Sequence, residues 1–264
     1  MINILCVRWG DKYDDHVEKL KLQVEKHCSL EFKFFCLTDK PKYSYDIQLP
    51  TTWDHNYDPK RNGFWAYRKC YMFNEELFPQ LDGDEFLYLD LDVLIHNSLD
   101  HLFDRDMSHP WIVRGWWNDS NTSKKNYGMI KSTPLNSSIV RWNRGQLAPV
   151  YNHINRFAEY VFFTYSTIDN YFNHFWYDIY AEDLNNNAIN IKQNCSAKKL
   201  FKGFERGVAY SWYKGNIFPN DMQLNVIRPE NMVCLFNNSH SVNSGKMGDE
   251  HMYEIDEVRE LWNT

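Results

Sequence analysis

No run of apolar residues in this chain approaches the length of a membrane-spanning helix, and no block of lysine and arginine interrupts it. The first absence excludes a helical span, which takes about 20 consecutive apolar residues. The second, together with a formal net charge of −6, sets aside nucleic acid and polybasic membrane binding, which both need a concentrated positive field. The six cysteines (Cys6, Cys28, Cys36, Cys70, Cys195 and Cys234) form no Cys-x-x-Cys pair and fall mostly in apolar segments. They read as small core residues of a reduced, cytoplasmic protein. The opening segment 2–7 is too short for a signal-peptide core and lacks its charged flank. With no internal repeat and no linker composition, residues 1–264 are expected to form one domain.

Hydrophobic residues make up 43% and charged residues 24% of the chain, an ordinary globular balance. Aromatic residues are plentiful, at 10 Trp, 17 Tyr and 17 Phe. Most are expected in the core, although aromatic faces also stack on sugars.

The most informative stretch is Phe86-Leu-Tyr-Leu-Asp90-Leu-Asp92-Val-Leu-Ile95, an apolar run holding two carboxylates. An unpaired ion leaves water only at a cost of several kcal/mol, so an Asp-x-Asp ending a core strand calls for a cation. In extended backbone, residues two apart face the same way, so Asp90 and Asp92 can share one ion while Leu91 points into the core. Hard carboxylate oxygens favour Mg²⁺ or Mn²⁺, ions that also take phosphate oxygens from a substrate.

Periodicity sets strands at 2–7, 32–37, 47–49, 86–89, 111–113 and 136–142, with more strand material in 226–236 around Pro229. Val17, Leu20, Val24 and Cys28 predict a helix over 15–28. Ala66, Cys70, Phe73 and Leu77 form one stripe of a second helix, closed by Pro79. A helical turn is expected over 98–103, a long amphipathic helix marked by Leu147, Val150, Ile154, Phe157 and Val161, another helix over 167–177, and a terminal one marked by Tyr253, Val258, Leu261 and Trp262. Segments 118–125 and 183–200 read as irregular. Alternating strands and helices predict an α/β fold with a mixed, mostly parallel sheet, whose ligands sit beyond the carboxyl ends of its strands. Arg8, Asp39 and Asp90 all fall at such ends.

In this order the chain resembles the GT-A (Rossmann-like) glycosyltransferases, most closely the glycogenin-like enzymes and related bacterial and viral sugar transferases. The resemblance is carried by Val7-Arg-Trp-Gly-Asp11, Cys36-Leu-Thr-Asp39, Tyr88-Leu-Asp90-Leu-Asp92, Asn136-Ser-Ser-Ile-Val-Arg, Asp169-Asn170 and Phe236-Asn-Asn-Ser-His240 followed by Lys246. Three positions depart from the pattern: Ser138 stands where relatives carry Gly, Asn170 where many carry Gln, and Gly245 lies two places beyond the usual Gly.

The resemblance implies a transfer of sugar from a UDP- or GDP-sugar to an acceptor hydroxyl, and its glycogenin-like character alone points to retention at the anomeric carbon. The acceptor would be a saccharide, lipid-linked or protein group, and the enzyme would work in the cytoplasm (the host's, if viral). A metal ion, Mn²⁺ or Mg²⁺, would be held by Asp90, Asp92 and His240. Val7, Arg8, Trp9, Asp39, Arg68, Lys69, Asp90, Leu91 and Lys246 would contact the nucleotide sugar. Asn136 and Asp169 would stand beside the donor sugar as the catalytic pair, and Trp116 and Trp117 would stack on the acceptor.

Plainer roles exist for several of these residues. His240 sits in a polar loop, Asp169 follows Thr167 as a first-turn helix charge does, and Arg68 and Lys69 suit a solvated helix face. Two rival functions share the Asp-x-Asp. In a haloacid-dehalogenase-type phosphohydrolase the first Asp is the nucleophile, but there the motif opens the domain and an acidic pair follows late. A non-catalytic sugar-binding protein of the same fold would not need the intact Asp pair.

Overall fold

The computed structural model describes residues 1–10, 13–56, 64–114, 135–165, 167–175, 200–204, 208–213, 216–218, 232–236 and 260. Strand β1 (Ile2–Arg8) is buried along nearly its whole length, as expected of a strand covered on both faces. Helix α1 (Asp14–His27) carries Asp14 and Asp15 in its first turn and Lys26 and His27 in its last, each sign facing the opposite end of the helix dipole. Strands β2 (Phe32–Thr38) and β3 (Asp46–Gln48) follow, then β4 (Glu85–Leu89), β5 (Val93–Ile95), β6 (Trp111–Arg114) and β7 (Leu135–Asn143). Helices α2 (Ala148–Thr164) and α3 (Ile168–Phe175) precede β8 (Lys202–Gly203), β9 (Ala209–Tyr213), β10 (Asn216–Phe218) and β11 (Val233–Phe236).

The main sheet has seven strands in the order β3-β2-β1-β4-β7-β6-β8. β3, β2, β1 and β4 run parallel, with Ile2 opposite Phe32 and also opposite Glu85. β7 is antiparallel to both β4 and β6, and β8 returns parallel to β6. This is the mixed, mostly parallel α/β sheet that the strand–helix alternation predicts.

Side chains of β4 alternate between two cores. Phe86 and Tyr88 enter one, with Trp53, Tyr71 and Trp142. Leu87 and Leu89 enter the other, with Val17, Leu20 and Val24 of α1. The period of two thus decides which face each residue serves.

A second sheet, β10-β9-β11-β5, begins directly after Asp92. The apolar run from Phe86 to Ile95 is therefore two strands in two sheets, and Asp90–Asp92 is the step between them. Leu91 is buried at this step, as its place between the two carboxylates predicts.

The segment expected to be an α-helix from Ala66 to Leu77 instead forms successive 3₁₀ turns, Phe64–Phe73 and Glu75–Leu77. Every residue from Tyr67 to Phe73 is buried, whereas Leu77, in the separate turn after Asn74, is 40% exposed, so the last member of the expected stripe leaves the core. Pro149 lies in the first turn of α2, where its missing N–H is harmless, and α2 kinks at Phe157. Strands β8, β9 and β10 carry no period clear enough to be expected from sequence. The expected loop 118–125, the terminal helix around 253–262 apart from Glu260, and most of 183–200 lie outside the described residues. Among the described residues no helix is long and apolar enough to cross a membrane.

Candidate active site

The carboxyl ends of β1, β2 and β4 meet along one rim. Arg8, the last residue of β1, is fully buried. Its guanidinium donates to Thr38 Oγ1 at 3.3 Å and to the Lys40 carbonyl at 2.7 Å. It also pairs with Asp14 and, at 3.3 Å, with Asp46 Oδ2. A buried cation needs such partners, and here they lock the ends of β1, β2 and β3 together. Val7 packs against the core. The Gly10 N–H donates to Asp39 Oδ1 at 2.8 Å, across a turn in which Gly10 adopts φ +71°, backbone that favours glycine.

Trp9 lies under the guanidinium of Arg68, which sits 3.3 Å from the ring centre and donates to Asp54 Oδ1 at 2.9 Å. Both contacts suit a planar, delocalised cation. Burial pushes the Arg68 pKa down, while the charges of Asp54 and Asp39 act in the opposite direction.

The second half of the rim is built where β7 runs antiparallel past the end of β4. Asp90 N–H donates to the Ser138 carbonyl at 2.9 Å, so the chain beyond Leu89 stays alongside the Asn136–Ser138 segment. Lys69 is buried and reaches Asp90 Oδ1 at 3.0 Å, Ser137 Oγ at 3.1 Å and the Ser137 carbonyl at 3.4 Å. The Tyr88 hydroxyl donates to the same Asp90 oxygen. The Ser137 N–H donates to Asp169 Oδ1 at 2.9 Å, from β7 to the first turn of α3. Asn136 Oδ1 accepts the Ser138 N–H at 2.9 Å. Lys69, Asp90, Ser137 and Asp169 thus form one continuous polar network at the end of the sheet.

Burial is the largest influence on the Asp169 pKa and raises it, as does the nearby charge of Asp90, whereas Lys69 and the Ser137 hydrogen bonds lower it; the net shift is upward. The Tyr88 phenol is pushed well above its ordinary value, first by burial and then by the charges of Asp90, Cys6 and Asp92. Asp90 and Asp92 stand two residues apart on either side of the buried Leu91. That donor set, a pair of hard carboxylate oxygens, suits Mg²⁺ or Mn²⁺ better than softer metals. Among the described residues no three His, Cys, Asp or Glu side chains gather as a complete metal cage. Mg²⁺ ordinarily takes only one or two carboxylates from the protein and fills the rest of its shell with water and phosphate oxygens, so an Asp pair fits it.

Of the residues singled out from sequence, the structure brings Lys69, Asp90, Asn136 and Asp169 together, and sets Trp9, Asp39 and Arg68 in a neighbouring group. Arg8 is buried and committed to protein partners. His240, Lys246, Trp116 and Trp117 lie outside the described residues. Sequence reasoning missed Asp54, Tyr88 and Ser137. For Tyr88 a signal existed: it precedes Asp90 by two residues on a strand, so both project to one side. For Ser137 the signal was weaker, a hydroxyl residue beside Asn136. Asp54 gave none.

No protein-family model matches this sequence, and no curated protein is significantly similar to it. Solved structures are. The galactosyltransferase LgtC, in complex with donor and acceptor sugar analogs, superposes with a TM-score of 0.61 at 12% identity, over 99% of this chain and 95% of that one. An active-site mutant of LgtC gives 0.58 at 14% identity, over 98% and 94%. A glycosyltransferase involved in the glycosylation of the major capsid of PBCV-1 gives 0.52 at 15% identity, over 96% and 99%. Coverage is nearly complete on both sides, so the likeness extends to the whole fold rather than to a shared βαβ unit. The chain has the fold of the GT-A glycosyltransferases.

Proposed function

We propose that this protein is a metal-dependent glycosyltransferase that moves a sugar from a nucleoside-diphosphate sugar to an acceptor hydroxyl. The observation that carries this reading is the network joining Asp90, Lys69, Ser137 and Asp169, at the carboxyl end of β4 and in a fold shared with sugar transferases. Lys69 can be buried there because Asp90 and Ser137 satisfy it.

In this reading Asp90 and Asp92, with His240, hold Mn²⁺ or Mg²⁺. When bound, the ion offsets the charge that develops on the departing diphosphate. Lys69, already a buried cation beside Asp90, adds a fixed positive charge on the same side. Lys246 supplies a further cation for the phosphates. Trp9, Asp39 and Arg68 frame the nucleoside, with the Arg68–Trp9 stack forming one wall. Asn136 and Asp169 stand beside the donor sugar, where a carboxylate held by the Ser137 N–H can offset positive charge developing at the anomeric carbon. Trp116 and Trp117 are assigned to the acceptor, a saccharide-bearing molecule. Retention of the anomeric configuration is part of the proposal on the strength of the glycogenin-like resemblance.

A thermal-shift screen of UDP- and GDP-sugars with and without Mn²⁺ tests it. A ligand at 100 times its Kd stabilises the folded state by about 2.7 kcal/mol, and the stabilisation is expected only when nucleotide sugar and metal are both present. A panel in which no nucleotide sugar shifts the transition, with or without metal, would overturn the reading. So would release of inorganic phosphate from phosphomonoesters in place of nucleoside diphosphate from sugar donors.

A further inference from the structure

We propose that Tyr88 is a positioning residue for the metal end of the site, orienting the Asp90 carboxylate through its hydroxyl and seating the Lys69 ammonium through its ring. The inference rests on the reading of Asp90 and Asp92 as metal ligands and adds a residue that this reading does not contain.

Three observations carry it. The Tyr88 hydroxyl and the Lys69 ammonium, the latter at 3.0 Å, both donate to one oxygen of Asp90, Oδ1. Two donors on one oxygen fix the torsion of the short aspartate side chain, which would otherwise sample several rotamers at the edge of the sheet. The Lys69 Nζ also lies 5.0 Å from the centre of the Tyr88 ring, within reach of a cation–π attraction. Finally, Tyr88 is itself immobilised: it is 2% exposed, on a β4 position whose neighbours are β1 and β7. A buried phenol needs a hydrogen-bond partner, and here the partner is a carboxylate expected to bind metal. With Oδ1 engaged by two protein donors, the other Asp90 oxygen would be the one offered to an ion.

Carboxylates that ligate metals are usually held by outer hydrogen bonds, and losing one costs about 10–100-fold in metal affinity. The test compares Mn²⁺ binding, followed by loss of the free-ion electron paramagnetic resonance signal, in the wild-type chain and in Tyr88→Phe, Asp92→Asn and a chain with 3-fluorotyrosine at position 88. The phenylalanine keeps the ring over Lys69 and deletes the hydroxyl. Its Mn²⁺ affinity is expected to fall about 10-fold, with a thermal midpoint near that of the wild type. The fluorinated residue keeps the hydroxyl and should bind like the wild type. Its ¹⁹F resonance should broaden on addition of Mn²⁺, and this should not happen when Asp92→Asn is also present. That second readout holds even if Tyr88→Phe folds poorly. Asp92-dependent binding in the wild type with unchanged affinity in Tyr88→Phe would overturn the role of Tyr88 alone. An unbroadened ¹⁹F signal at saturating Mn²⁺ would place the ion away from Asp90 and overturn the metal-site reading together with the role of Tyr88. Absence of Asp92-dependent Mn²⁺ binding in the wild type would overturn both this inference and the metal-site reading beneath it.

Discussion

Asp169 is a residue at which the proposed function and stability make opposite demands. Its carboxyl is desolvated, and its pKa is raised by burial more than Lys69 and Ser137 lower it. For a raised carboxyl the folded state holds its proton longer than the unfolded chain does. The group therefore favours folding below the ordinary carboxylate pKa, and that contribution is lost as the pH rises through its folded value. At neutral pH its ionised form is a burden. Asp169→Asn keeps an oxygen to accept the Ser137 N–H and removes the charge. It is expected to unfold at pH 7 no earlier than the wild type, and to lower turnover by about 10- to 100-fold, the worth of a charged hydrogen bond of roughly 1.5–3 kcal/mol. Affinity for the free nucleoside diphosphate should hardly change. Melting curves and single-donor kinetics on the same preparation decide it. A variant that melts lower yet turns over normally would place this carboxylate in the framework rather than beside the sugar.

The residue scale is also where sequence was most and least informative. Leu91 was legible as a buried residue, and Asp90 as a charge that needs partners inside an apolar run, which Lys69 and Tyr88 supply. Arg8 was legible as a strand-end cation, but its partners Asp14 and Asp46 lie 6 and 38 residues away. Asp14 comes from the first turn of the next helix, whereas only the parallel register of three strands brings Asp46 to it, and no local pattern announces that.

At the scale of elements, strands with continuous apolar runs were readable and the irregular helix was not. An α-helix and a chain of 3₁₀ turns share hydrophobic spacings of three residues, so Phe64–Phe73 could be placed as helical from its pattern but not assigned its pitch. The end of the strand over 86–89 was readable, but that Val93–Ile95 forms a strand of a second sheet was not, because three apolar residues carry no period.

The second sheet makes one pH-dependent prediction. His96 follows β5, donates its backbone N–H to the Met232 carbonyl at 3.0 Å, and is held to a pKa of about 4 by burial, with His27 at the end of α1 contributing. The ordinary histidine value is about 6.5. A depressed pKa means that the unfolded chain takes up the proton first, so stability present above about pH 6.5 drains away as the pH falls towards 4. The full loss is on the order of 3 kcal/mol at 1.36 kcal/mol per unit. Urea unfolding of the wild type from pH 7 to pH 4 should show this fall, and His96→Gln should flatten it. Parallel pH profiles for the two proteins would contradict the assignment.

For the molecule as a whole, the arrangement explains why the Asp pair sits where it does. Two sheets meet at Asp90–Asp92, and one core anchors the backbone there: Leu89 and Leu91 are buried before and between the carboxylates, and Val93 after them. Sites built on such anchored elements hold their geometry better than sites on loops. The α/β class and the parallel half of the sheet followed from the strand–helix alternation. The antiparallel return of β7, which delivers Asn136 and Ser137 to Asp90, depends on tertiary pairing that sequence spacing does not specify.

The central claim is that sugar transfer runs through a divalent ion held at this step between the sheets. The most direct measurement is release of nucleoside diphosphate from a sugar donor, with Mn²⁺ and with a chelator, by the wild-type protein and by Asp92→Asn. Losing a group that merely supports a metal ligand costs about 10–100-fold, and losing a ligand should cost at least as much. The account predicts release by the wild type only with metal, and a loss of at least about 100-fold in Asp92→Asn with its fold intact. Near-normal, metal-dependent release by Asp92→Asn would contradict it.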